Sequence, residues 1–162
     1  MQSLPVYIYV PMDFVHTPVS SQRLEMSLEI FPPIDLANEE RAVSAILHII
    51  SASKHPIVLI DVLTARHNAV TDTRELVDAL DIPFFATPMG KSIVDETHPR
   101  FCGIYNGAIS YPGIADVVES SDCVINIGPL LSDSNTGGLS RMLSAEQLIV
   151  LESSHCEVWH IA

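Results

Sequence analysis

Ile57-Val58-Leu59-Ile60, followed directly by Asp61, is the stretch that determines the fold class of this chain. The run has no polar residue that would mark a solvent-facing side, which is typical of a strand inside a parallel sheet that is covered on both faces. Comparable apolar runs occupy residues 83–87, 123–128 and 148–151. The sequence therefore predicts a sheet of buried strands.

Helical patterns separate these predicted strands. Asn38 is the predicted N-cap of a first helix that ends before Pro56, and a second helix is predicted over residues 70–80. Pro112 suits the first turn of a third helix. The residues predicted to face the sheet are Val43, Ile46, Leu47 and Ile50 in the first helix and Ile114, Val117 and Val118 in the third. Alternating strands and helices predict right-handed crossovers and a doubly wound α/β fold, a parallel sheet with helices on both faces.

The beginning of the chain does not fit this alternation. Val6, Ile8 and Val10 alternate with two tyrosines, which predicts a strand with two apolar faces that Pro11 ends. Residues 13–35 contain three prolines and are predicted to form a linker, so this first strand has no neighbouring strand close by in the chain. The other end stops without a closing helix, so we expect both ends to be cut from a larger protein.

Composition narrows the class of protein. The 162 residues carry a net charge of −12, and the few basic residues are scattered, so the surface repels phosphate backbones and anionic membranes. No apolar run reaches the roughly 18 residues of a membrane span. The three cysteines form no C-x-x-C pair and are expected to be reduced and mostly buried. We expect a single acidic domain in the cytoplasm, with no nucleic-acid or membrane partner and no metal site.

Polar residues that follow the predicted strands are the candidates for function, because open α/β sheets bind ligands at the carboxyl ends of their strands. Arg66 can hold a carboxylate through two parallel hydrogen bonds, and a glycine-containing loop can present backbone N–H groups to an anion. The candidate residues for a small-anion or inter-domain site are Asp61, Arg66, His67, Lys91, Gly128, Asp133 and Asn135.

The same residues could instead have purely structural roles, and the sequence does not decide between a binding role and a structural one. Arg66 could form a surface ion pair, the turn that carries Lys91 could be purely structural, and Asp133 could fold its loop through a hydrogen-bonded turn. The sequence has no G-x-G-x-x-G fingerprint, and no Ser/His/Asp grouping can be assembled from its order. No residue is therefore predicted to be catalytic or to bind a cofactor.

Several segments together resemble the middle domain of the thiamine-diphosphate-dependent 2-oxo acid decarboxylases, in particular the fungal pyruvate decarboxylases. Their order and spacing agree with that family from about residue 5 to residue 157, which is more specific than any one motif. Asp61 and the Arg66-His67 pair also match. The segments are Thr87-Pro-Met-Gly-Lys91, Asp95-Glu-Thr-His-Pro-Arg100, Gly103-Ile-Tyr-Asn-Gly107, Val118-Glu-Ser-Ser-Asp122 and Gly128-Pro-Leu-Leu-Ser-Asp-Ser-Asn-Thr-Gly137.

This resemblance implies a domain organisation and a role. Residues 1–12 would be the last strand of an N-terminal pyrimidine-binding domain that is missing here, residues 13–35 a linker, and residues 36–162 a middle domain truncated at its C-terminal end. Thiamine diphosphate and Mg²⁺ would be held by other domains of the full-length enzyme, and this chain would hold no cofactor. The chain would serve assembly and substrate activation, would be inactive alone, and would associate with itself or with the remaining domains of a decarboxylase.

Two departures from the family and one alternative remain. Leu63 and Thr64 stand where substrate-activated yeast enzymes carry a cysteine, which puts cysteine-dependent activation in doubt, and Ser92 replaces a frequent glycine. The alternative is a stand-alone protein that reuses this domain as a small-molecule binding module, as an enzyme of different chemistry or as a regulatory partner of a decarboxylase.

Overall fold

The computed structural model describes residues 5–26 and 35–158. Six strands in these ranges form one sheet in the order β3-β2-β1-β4-β5-β6. The strands are β1 (Pro56–Ile60), β2 (Phe84–Ala86), β3 (Phe101–Ile104), β4 (Cys123–Ile127), β5 (Leu148–Leu151) and β6 (Cys156–Val158). The α-helices are α1 (Leu36–Ala52), α2 (Leu63–Arg66), α3 (Val70–Leu80) and α4 (Ile114–Glu119). Short 3₁₀ helices span Met12–Phe14, Ser21–Leu24, Pro88–Gly90 and Ala145–Gln147.

The sheet is parallel except at one edge. β1 lies in the middle and pairs in parallel with β2 and β4, while β3 and β5 extend the sheet in the same direction. β6 returns antiparallel to β5. The doubly wound α/β fold predicted from the sequence is confirmed. The edge strands β3 and β6 were not predicted, because Gly103 interrupts one and Glu157 the other, so neither shows a continuous apolar run.

Both faces of the sheet are covered, which explains the composition of β1. Successive side chains of a strand point to opposite faces. Val58 and Ile60 pack with α1 and α3 in one core, whereas Ile57 and Leu59 belong to a second core that contains Tyr105 and the inner side of α4. Every residue of the run Ile57 to Ile60 is therefore buried.

Helix α1 differs from its predicted form in its cap and in its buried face. Asp35 is the N-cap, and its carboxylate accepts a hydrogen bond from the Asn38 backbone N–H at 3.2 Å, so the prediction of Asn38 as the cap is wrong. Val43 and Leu47 are 48% and 55% exposed. Their predicted inward positions are wrong, whereas Ile46 and Ile50 pack against the core as predicted, together with Ile49. The helix carries apolar residues on more than one side, so periodicity alone could not select the buried stripe.

Helix α4 is shorter than predicted and starts later. It begins at Ile114 with Gly113 as its N-cap at φ 89°, so Pro112 lies outside the helix. Val118 is buried as predicted, and Ile114 packs against the second core. Val117 is 51% exposed, so its predicted inward position is wrong. A helix of only six residues covers a small part of its sheet face.

Residues 5–10 do not form the predicted strand. They have no regular secondary structure, and their apolar side chains from Val6 to Val10 are between 55% and 88% exposed. A strand needs the backbone N–H and C=O groups of a neighbour, and no described segment of this chain pairs with residues 5–10. The predicted linker contains two short 3₁₀ helices up to Leu24, and its residues 27–34 lie outside the described part of the chain, as do residues 159–162.

The cysteines are less buried than predicted. Cys123 lies on the central strand β4 and is buried, whereas Cys102 and Cys156 lie on the edge strands β3 and β6 and are exposed. An edge strand has a side open to solvent, so the prediction of mostly buried thiols is wrong. Among the described helices, none is long and apolar enough to cross a membrane.

Gly128 sets the distance between β4 and α2. It follows β4 directly with φ +60°, and a Cβ atom there would lie 2.3 Å from the Thr64 backbone nitrogen. Its carbonyl accepts a hydrogen bond from the Leu63 backbone N–H at 3.0 Å. Thr64 Oγ1 donates to the Ile127 carbonyl at 3.1 Å. Only glycine permits both this backbone conformation and this close approach.

We predict that Gly128→Ala destabilises the fold far more than Gly138→Ala. Both glycines have a positive φ, but nothing lies within 4 Å of a Cβ at Gly138. The control variant should therefore cost only the conformational strain, about 1 kcal/mol, while Gly128→Ala adds a backbone clash and should cost about 3–5 kcal/mol. Urea unfolding followed by circular dichroism measures both values, and equal losses would contradict this account of Gly128.

Candidate functional site at the carboxyl ends of the strands

The carboxyl ends of the three central strands meet at one edge of the sheet. Asp61 follows β1, Thr87 follows β2 and Gly128 follows β4. The parallel register places Ile60 beside Ala86 on one side and beside Ile127 on the other. The polar residues that follow these strands therefore begin at the same level.

Asp61 is the centre of this edge. Its side chain is fully buried. Oδ1 accepts hydrogen bonds from the Val62 backbone N–H at 2.6 Å and from Thr87 Oγ1 at 2.7 Å. Oδ2 accepts one from the Leu130 backbone N–H at 2.9 Å. A buried carboxylate needs such donors, because an unpaired charge in the interior is costly.

Asn135 completes the hydrogen bonding of Asp61 and links it to two loops. Its Nδ2 donates to both Asp61 carboxylate oxygens at 2.8 Å and to the Leu130 carbonyl at 2.9 Å. Its Oδ1 accepts from the Met89 backbone N–H at 3.0 Å. Asn135 is fully buried, so the loops after β2 and β4 are fastened to the end of β1 by hydrogen bonds within the chain.

The remaining predicted site residues lie nearer the surface. Arg66 is exposed at the end of α2, and Lys91 is exposed and forms an ion pair with Glu96 at 3.2 Å. Asp133 is exposed, and its Oδ1 accepts from the Ser134 backbone N–H at 2.6 Å.

His67 is half-buried and lines, together with Gly128, a cavity of about 230 Å³ beside the end of β5. The structure thus joins Asp61 to Asn135 directly and brings His67 to the same cavity as Gly128. Arg66, Lys91 and Asp133 have their side chains at the surface.

Thr87 belongs to this edge and was not predicted as a site residue. Thr87 donates to Asp61 and accepts from the Gly90 backbone N–H at 3.1 Å, so it fixes the turn that carries Lys91. A Cβ atom at Gly90 would lie 2.3 Å from the Ile60 carbonyl oxygen, so this turn also presses against the end of β1. A threonine immediately after a buried strand was the available indication, since a hydroxyl there needs a partner.

The comparisons with known proteins agree with this architecture. Residues 43–159 match the family described as thiamine pyrophosphate enzyme, central domain, and the chain belongs to that family. It is similar to pyruvate decarboxylase of Candida glabrata, with 37% identity over 155 residues that cover 95% of this chain and 28% of the relative.

Two further relatives, pyruvate decarboxylase of Kluyveromyces lactis and isozyme 1 of Saccharomyces cerevisiae, are 36% and 34% identical over the same shares of each chain. The family predicted from the sequence is thereby confirmed. The chain spans 28% of the length of these curated relatives.

We predict that Asn135→Ala lowers the free energy of unfolding by about 2–4 kcal/mol, because the Met89 N–H loses its partner and Asp61 and the Leu130 carbonyl each lose a donor in the interior. Ser134→Ala is the matched control, since the neighbouring Ser134 is exposed in the same loop, and it should change stability by less than about 0.5 kcal/mol. Urea unfolding of both variants gives the comparison. Similar small losses in both would show that the hydrogen bonds of Asn135 do not hold the loops.

Proposed function

We propose that this chain is the central domain of a thiamine-diphosphate-dependent 2-oxo acid decarboxylase, a lyase that converts a 2-oxo acid to an aldehyde and CO₂. The observation that supports this function is the similarity to proteins named pyruvate decarboxylase over 95% of the chain. Since the chain spans 28% of those proteins, the domains that would hold thiamine diphosphate and Mg²⁺ belong to the rest of the enzyme.

Within such an enzyme, the chain would act as a rigid support. Asp61, Thr87 and Asn135 direct their side-chain hydrogen bonds to one another and to the backbone of the loops, and Asp61 and Asn135 have no surface exposed. These residues would keep the loops in place for contacts with neighbouring domains. Arg66 and His67 would supply the contacts to a small anion or to the adjacent domain, because Arg66 is exposed and His67 lines a cavity.

The cellular location is part of the proposal. A cytoplasmic protein without nucleic-acid or membrane partners would fit the net charge of −12, which disfavours both kinds of anionic surface. The three cysteines are free thiols, which suits a reducing compartment.

We predict that the purified chain, supplied with thiamine diphosphate, Mg²⁺ and pyruvate, forms no acetaldehyde above the blank. The reason is that the proposed cofactor domains are not part of these residues. An assay coupled to alcohol dehydrogenase and NADH oxidation measures the product, and the Saccharomyces cerevisiae enzyme under the same conditions is the positive control. Acetaldehyde that requires the purified chain would refute the support role.

The chain presents apolar surface that would suit self-association. Residues 5–10 expose their apolar side chains, and α1 exposes Leu36, Val43 and Leu47, which lie along one side of the helix at spacings of seven and four residues. Exposed apolar surface of this kind is typical of contacts with another chain. Its burial would contribute roughly 25 cal/mol per Å² before the costs of association.

We predict that the chain forms a dimer or higher oligomer whose association strengthens with salt. The net charge of −12 makes copies repel one another, and salt screens that repulsion. Light scattering at several salt and protein concentrations measures the mass. Deletion of residues 1–12 should weaken association, and a monomer at high concentration with or without these residues would exclude this surface as the contact.

A further inference from the structure

A second cavity lies on the sheet face that α4 covers only in part. Val124 of β4 packs in the core beneath α4, and Asn126 lies two residues further along the same face, beyond that helix. The long connection from β4 to β5 passes over this part of the sheet and leaves a cavity of about 530 Å³. Its apolar lining is supplied by Pro129, Leu131, Leu139, Leu143, Leu148 and Val150.

Asn126 lines this cavity, and its side chain does not stabilise the fold. It is 2% exposed, and the other residues of β4 are apolar. Its register neighbours are Leu59 on β1 and Val150 on β5. Within the described part of the chain its Oδ1 has no hydrogen-bond partner. An unsatisfied amide oxygen in the middle of a buried sheet destabilises a protein, so an apolar residue would serve the fold better here.

Arg141 lines the same cavity and carries a second unpartnered group. Its Nη1 is buried and has no hydrogen-bond partner among residues 5–26 and 35–158. The guanidinium lies 5.7 Å from the centre of the Tyr105 ring, a cation–π contact that holds its position.

Tyr105 does not compete with a ligand for Arg141. Its hydroxyl donates to Glu119 Oε1 at 2.8 Å, and that oxygen also accepts from the Met142 backbone N–H. Burial raises the pKa of Tyr105, and the hydrogen bond to Glu119 raises it further, so the phenol stays protonated. Arg141 therefore lines the cavity with its positive charge beside a neutral ring.

The Asn126 amide, the Arg141 guanidinium and the apolar lining of the cavity together indicate what kind of ligand would fit. A guanidinium binds a carboxylate, and an amide oxygen accepts from O–H or N–H. Glu152 and Glu157 on the β5–β6 side of the lining disfavour a second negative charge. The volume falls in the range of small-molecule sites, about 300–1,000 Å³.

We propose that this cavity binds a monocarboxylic acid with an apolar body and one hydroxyl or N–H donor, with the carboxylate at Arg141 and the donor at Asn126. Asn126 and Arg141 take no part in the side-chain hydrogen bonds of Asp61, and the inference goes beyond the proposed function of the chain.

The first experiment compares two acids that differ by one hydroxyl. Isothermal titration of the 162-residue chain with each enantiomer of 3-phenyllactate and with 3-phenylpropanoate should show that one enantiomer of the hydroxy acid binds roughly tenfold more tightly, the effect of one added hydrogen bond. No heat from either acid up to millimolar concentrations overturns the proposal, as does equal affinity for both acids.

A charge-matched pair of variants tests Arg141. Arg141→Gln should weaken binding of 3-phenyllactate by more than tenfold, because a charged hydrogen bond is lost. Arg23→Gln removes the same charge from an exposed position outside the cavity and should leave the affinity unchanged. Equal affinities in the two variants would show that the carboxylate does not bind at Arg141.

Variants of Asn126 separate a ligand contact from a structural role. Asn126→Leu should raise the midpoint of urea unfolding, because the unsatisfied amide is removed, and should abolish the preference for the hydroxy acid. Asn126→Ala removes the amide without added bulk and should abolish the same preference. A lower midpoint in Asn126→Leu with the preference retained in Asn126→Ala assigns Asn126 to the fold and rejects the site.

Discussion

The carboxylate of Asp61 is the interaction on which the arrangement of the loops depends. It ends the central strand of the sheet and receives hydrogen bonds from Thr87 after β2 and from Asn135 and Leu130 after β4. In a parallel sheet the strands are held along their length by backbone hydrogen bonds, but the connections beyond their ends need other constraints. Here the buried side chain of Asp61 supplies these constraints, because its carboxylate accepts hydrogen bonds from several loops at once.

The contrast between two asparagines clarifies how polar residues are used in this domain. Asn135 is buried with both ends of its amide bonded, so it contributes to stability. Asn126 is buried with an oxygen that has no partner in the described chain, so it lowers stability where it stands. Within the described residues, the fold satisfies the Asn135 amide with four hydrogen bonds and leaves the Asn126 oxygen without one, so support and recognition fall on different residues.

The sequence predicted the central strands and the fold class well, because continuous apolar runs such as Ile57 to Ile60 require burial on both faces. It predicted the edges poorly. β6 is too short and too polar to be recognised, and residues 5–10 have a strand pattern but no pairing strand among residues 5–26 and 35–158. The buried side of α1 was misplaced at Val43 and Leu47, since local periodicity does not report where the sheet lies.

The residues of the candidate site could be predicted from the sequence, but the hydrogen bonds that connect them could not. Residues that follow buried strands could be named in advance, and Asp61, Gly128 and Asn135 do lie at that edge. The hydrogen bonds between Asp61 and Asn135 cross 74 positions of sequence, so no local pattern reveals them. The unpartnered groups of Asn126 and Arg141 depend in the same way on the path of the β4–β5 connection.

That separation of 74 positions has a consequence for how the domain acquires its structure during synthesis. Contacts that are distant in sequence form late, because the intervening chain must first be closed into a loop. When β1 leaves the ribosome, neither β4 nor Asn135 has been made, so the strand lacks one of its two neighbours and the Asp61 carboxylate lacks the donors of Leu130 and Asn135. The first half of the sheet therefore lacks these contacts until the loop that carries Asn135 has emerged, and we expect the domain to complete its folding only then.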